Sequence, residues 1–185
     1  MSKFRQFTRQ IPLLIIWLMA SALLWSFVFL RITDADPAHK IVVFVDAETT
    51  GAEDLAAELF DQRRGNIRTV QVRPFTYAML DSNQLTNADL YIVPESDMLI
   101  YLDWFAPCPD GFTQDAYVNP EDGPSYGLLI RDPSDPDSLF SRYIQFVPEE
   151  RYYLCFGKNS LHLNGQTEAG DNEAVYFADI LLNME

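Results

Sequence analysis

Acidic residues are missing from this chain until Asp34, and histidine and cysteine each occur only twice in 185 residues. The two histidines are His39, in a polar stretch, and His162, in another. A catalytic triad or a zinc site would have to rest on His162, and no H-x-x-x-H or C-x-x-C stands beside it. His162 therefore reads as a surface residue. Glycine is sparse, eight in all, and no G-x-G-x-x-G or G-x-x-x-x-G-K-[ST] follows a strand. Dinucleotide and P-loop functions thus lack the loop that cradles their phosphates. There is no G-x-S-x-G elbow, which removes the commonest serine-hydrolase arrangement. Basic charge is scarce as well. Beyond Arg31, nine basic residues face all 27 acidic ones, a net charge of −18. Nucleic acid and anionic lipid are recognised by clustered Lys and Arg, so neither is an expected partner of this region.

What is abundant is apolar sequence near the start. Residues 11–30, IPLLIIWLMASALLWSFVFL, carry no charge. As a helix they would extend about 30 Å, the thickness of a bilayer's hydrocarbon core. Lys3, Arg5 and Arg9 precede them and favour a cytoplasmic stub. The run is longer than the apolar core of a cleaved signal peptide, and Ala20-Ser21-Ala22 lies inside it rather than after it. The expectation is a stub over 1–10, a transmembrane signal anchor over 11–30, a linker over 31–39 and an extracytoplasmic domain over 40–185. The bilayer would then be a partner through 11–30, and the protein a single-pass component of the cell membrane.

The remainder is long enough for one domain with its own core. Ile41 to Val45 is apolar on both parities, as a strand buried on both faces must be. A helix follows, with Ala52, Leu55, Ala56, Leu59 and Phe60 on one stripe and a capping box from Thr50 and Glu53. Residues 68–73 alternate and stop at Pro74, which suits a strand near a sheet edge. A short helical turn is expected around Thr76–Leu80, and Leu90 to Val93 is a third strand. Ser96 then caps a predicted helix burying Leu99, Leu102 and Phe105. This βαβαβα order predicts a three-layer α/β domain with a mostly parallel sheet and helices on both faces. Residues 106–124 read as a long loop, and strands are expected over 126–130, 143–147 and 151–156. A last helix should start near Asn172, burying Ala174, Phe177, Ala178 and Leu181.

In such sheets ligands bind beyond the carboxyl ends of the strands. The residues there are Asp46, Glu48, Thr49, Thr50, Tyr77, Glu95 and Ser96, the candidate ligand-binding set. Thr50 and Ser96 would serve equally as plain helix caps. Asp46 with Glu48 or Glu95 could form a carboxylate pair. Asp132, Asp135 and Asp137, or Asp110, Asp115 and Asp122, place oxygens near one another without matching a calcium loop. No metal or other cofactor is expected. Cys108 and Cys155 are compatible with one disulfide, worth on the order of 4 kcal/mol as an upper figure, or with free thiols.

The phrases DAETTGAEDLAAEL, TVQVRPFTYAML, NADLYIVPESDM and YYLCFGKNS, with the closing AVYFADILLNM, resemble those of uncharacterised signal-anchored bacterial proteins. These in turn are similar to one lobe of the extracytoplasmic solute-binding proteins of ABC transporters. The resemblance spans most of 40–185 and implies a periplasmic-binding-protein-like lobe. The leading functional expectation is a non-catalytic binding or sensing module, accessory to a transport or envelope complex, taking a small solute or a membrane protein partner. The alternatives are an envelope assembly protein without a small-molecule site, and an envelope hydrolase using Asp46 and Glu95.

Overall fold

The computed structural model describes residues 12, 14–26, 28, 36–75, 83–112, 115–119, 123–134, 142–163 and 172–184. The chain divides into two compact units, Met1–Asp36 and Pro37–Glu185.

In the first unit residues 14–26 are helical, with Leu14, Trp17, Leu18, Leu23 and Trp25 among the exposed side chains. This corrects the expected anchor. No helix among the described residues is long and apolar enough to cross a membrane. The single-pass placement, with cytoplasmic N-terminus and extracytoplasmic domain, loses its basis with the anchor.

The second unit is built on a seven-stranded sheet. Its strands are β1 (Lys40–Val45), β3 (Thr69–Pro74), β4 (Leu90–Pro94), β5 (Phe105–Ala106), β6 (Ala116–Val118), β7 (Ser125–Arg131) and β9 (Tyr152–Gly157). The order is β3-β1-β4-β9-β7-β6, with β5 also paired to β9. A separate two-stranded ribbon joins β2 (Glu48–Thr49) to β8 (Ile144–Gln145). The helices are α1 (Ala52–Asp61), the one-turn α2 (Asn83–Thr86) and α3 (Glu173–Leu182).

The sheet is mixed, which overturns the expected mostly parallel arrangement. Only β1 with β3 and β1 with β4 run parallel; β4 with β9, β9 with β7 and β7 with β6 are antiparallel. The expectation failed at residue 95. There the capped helix is replaced by a 3-10 turn, Glu95–Asp97, without a side-chain cap. Met98 and Tyr101 are buried in its wake while Leu99 is 61% exposed, and Phe105 is buried as part of β5. Instead β9 enters between β4 and β7 in the opposite sense to both, so every pairing past β4 is antiparallel.

Both longer helices cover one face. Leu55 and Leu59 of α1 and Ala174, Phe177, Ala178 and Leu181 of α3 pack on Ile41, Val43, Val45, Ile92, Leu154 and Phe156. The opposite face holds Phe44, Tyr91, Val93, Tyr153 and Cys155 beneath Leu85 of α2, Met98, Tyr101 and Phe105. Alternation along β1, β4 and β9 feeds both cores, so these strands are buried throughout or nearly so. Cys108 and Cys155 are free thiols. Burial pushes Cys108 up to about 12 and Cys155 well above the ordinary thiol value. Gly157 is required by close packing: a Cβ there would lie 1.9 Å from the Ala88 carbonyl oxygen.

Candidate functional site

The carboxyl ends of β1 and β4 lie side by side, because Val43, Phe44 and Val45 pair with Leu90, Tyr91 and Ile92. Asp46 is the first residue past β1, and its N–H donates to the Ile92 carbonyl at 2.8 Å. The 3-10 turn after β4 presents Asp97. The antiparallel return of β9 pairs Tyr152 with Pro94 and thereby delivers the preceding residues Glu150 and Arg151 to the same end. Arg151 accepts the Glu95 N–H at 2.9 Å through its carbonyl, and Glu150 accepts from the Ser96 hydroxyl at 3.1 Å.

Three carboxyls therefore act on one another. Burial raises Asp46 to about 6, and Asp97 and Glu150 push in the same direction. Asp97 is close enough to Asp46 that its negative charge disfavours ionisation there. Asp46 Oδ2 is shut away from solvent with no hydrogen-bond partner among the described residues. Such an atom costs on the order of 1–3 kcal/mol.

Arg131 fixes the third acid. Its guanidinium donates to the carbonyls of Val147 at 2.7 Å and Glu150 at 3.3 Å and lies over the Phe146 ring. The adjoining Arg151 is paired with Asp132 at 3.0 Å, and Asp132 also accepts from the Ser134 N–H and hydroxyl. These contacts hold Asp132 below the usual carboxylate range.

The candidate residues fare unequally. Asp46 and Ser96 belong to the cluster. Glu95 is exposed and acts on Tyr153 rather than on Asp46, so the carboxylate pair is Asp46 with Asp97. Glu48 and Thr49 are drawn into the ribbon against Gln145 and Ile144. Thr50 gives its N–H to the Tyr143 carbonyl; Gly51 is the N-cap of α1, and no side chain caps it. Tyr77 lies outside the described residues, as do Asp122, Asp135 and Asp137. Among the described residues no three ligating side chains are placed to hold a metal ion. Asp97 and Glu150 escaped the sequence reading. The sequence pattern puts Asp97 in a helix that does not form, and Glu150 arrives only through antiparallel pairing.

His162 is a second correction. It is 1% exposed, not a surface residue, and its Nε2 lies 3.1 Å from the Pro37 carbonyl. Beside it Asp89 accepts from Val42 N–H at 2.8 Å and from the Ser160 hydroxyl at 2.5 Å. The His162 N–H donates to the same Ser160 oxygen at 3.1 Å. The serine thus faces the aspartate and not the imidazole, which is a latch between strands and not a nucleophile with its base.

Known protein families, curated proteins and solved structures yield no match to this chain.

Proposed function

We propose that the 37–185 unit is a non-catalytic binding module that takes a cationic hydrogen-bond donor, an amine or guanidinium of a small solute, at the Asp46–Asp97–Glu150 cluster. The observation that carries this reading is the buried, unpartnered Asp46 Oδ2 among two further acids. A bound N–H donor would satisfy Asp46 Oδ2 and would neutralise the repulsion there. Binding then favours ionised Asp46 and strengthens as pH rises through about 6. A second reading, a docking face for a protein, is favoured by Leu99 and Ile100, 61% and 69% exposed in the turn after Asp97. There the donor would be a partner's lysine or arginine, flanked by apolar contacts.

The test is thermal denaturation of the full chain with argininamide, spermidine and choline at pH 7.5. A ligand that binds only the folded state raises the midpoint in proportion to RT ln(1 + [L]/Kd). The expected result is a rise with argininamide or spermidine that is lost in Asp46→Asn and reduced in Asp97→Asn. Equal rises in wild type and Asp46→Asn would overturn the assignment.

A further inference from the structure

Strand β3 ends the sheet: among the described residues its ladder bonds run to β1 alone. An uncovered edge offers backbone N–H and C=O groups to another extended chain. Beside its first half lies an open groove of about 350 Å³. Ala56, Ala57 and Phe60 of α1 and Val70 of β3 form its apolar lining. Arg68 stands at the start of the strand, exposed. Arg63 lies with its guanidinium 3.7 Å from the Phe60 ring centroid, adding a second positive charge at that end. Glu53 lines the groove two helical turns earlier, about 10 Å from Phe60 along α1. The groove is thus apolar in the middle, basic where β3 begins and acidic at the other end.

We infer that this edge is a strand-addition site for an extended peptide segment of a partner protein, with small β-branched side chains and a terminal pair of acids. The backbone would extend the sheet through Thr69 to Gln71, one set of alternate side chains would enter the groove, and the acids would meet Arg68 and Arg63. Charge complementarity selects the occupant. The rest of the unit is strongly acidic and repels such a segment, whereas Arg68 lines this groove and Arg63 sits on the ring of Phe60, which lines it too. The site is separate from the Asp46 cluster and does not depend on it.

The experiment uses the full chain, labelled with ¹⁵N, and three capped seven-residue probes of alternating threonine and valine. Two carry a pair of aspartates, at the amino or the carboxyl end, and the third carries two lysines. One aspartate probe should slow hydrogen exchange at the Thr69 and Gln71 amides. Arg68→Glu should weaken it at least tenfold, and Ala57→Arg, which fills the groove from an exposed position, should abolish it. Neither substitution should shift the denaturation midpoint by more than a few degrees. Binding of the lysine probe as tight as that of the aspartate probes would overturn the inference. So would absence of protection with all three, or a dimer in sedimentation whose Thr69 and Gln71 amides are already protected without any probe.

Discussion

Two aspartates mark opposite ends of the sheet, and their surroundings differ in kind. Asp89 precedes β4 and is 3% exposed, yet every neighbour works against the cost of its burial. His162, Ser160, Val42 and Lys40 all favour its charged form, and both its oxygens accept hydrogen bonds. Asp46 follows β1, is less buried, and every neighbour adds to the cost. One carboxyl has been given partners and the other rivals. A partnered buried acid holds a fold together; an acid crowded by acids is tolerated where something else arrives to satisfy it. The latch at one end lets the other be kept poor in contacts.

The sharpest ways to break this contrast begin with the latch. Gly157→Ala should be the most damaging single change, since the added methyl meets the Ala88 carbonyl carbon and oxygen, and the Gly157 N–H bond to Asp89 would be disturbed. A loss above about 4 kcal/mol in urea denaturation, or failure to fold, is expected. Asp89→Ala leaves the Val42 N–H and the Ser160 hydroxyl without acceptors and should cost roughly 3 kcal/mol. A cost below about 1 kcal/mol would show that the latch is not structural.

At the other end the sign reverses. Asp46→Asn removes a charge from between Asp97 and Glu150 and should stabilise the protein at pH 7.5 by about 1 kcal/mol, after allowance for solvent screening. Its pH dependence follows from linkage. A carboxyl raised from 3.8 to about 6 binds more protons folded than unfolded between those values. Stability therefore falls as pH climbs through that window, and its contribution is fully present only below it. The Asn variant should lose this part of the slope. A variant less stable than wild type at pH 7.5 would contradict the repulsion. The smallest effect belongs to Thr50→Ala, expected within about 0.5 kcal/mol because Thr50 caps nothing. A loss near 1 kcal/mol would restore it as a cap.

How far the sequence revealed this arrangement depends on the type of signal. Spacing of apolar residues located β1, α1, β3, β4 and α3, because burial on one stripe or both parities is a local property. It could not reveal strand direction. Leu154 and Phe156 face one core while Tyr153 and Cys155 face the other, so β9 has the apolarity of a parallel strand although both neighbours along the sheet are antiparallel. Asp46 was found because a strand's end is visible in sequence. Glu150 was not, since its approach depends on β9 lying beside β4. The apolar run at 11–30 shows the converse: length and composition suggest a membrane span, and no helix among the described residues is long and apolar enough to be one.

The most direct measurement is the titration of the Asp46 side-chain carboxyl carbon by ¹³C NMR, in the full chain with and without argininamide. A midpoint of about 6 is expected in the free protein, falling by a unit or more when the guanidinium is present. A midpoint near 4 that argininamide leaves unchanged would mean that Asp46 is an ordinary carboxylate, and the cluster would cease to be a binding site.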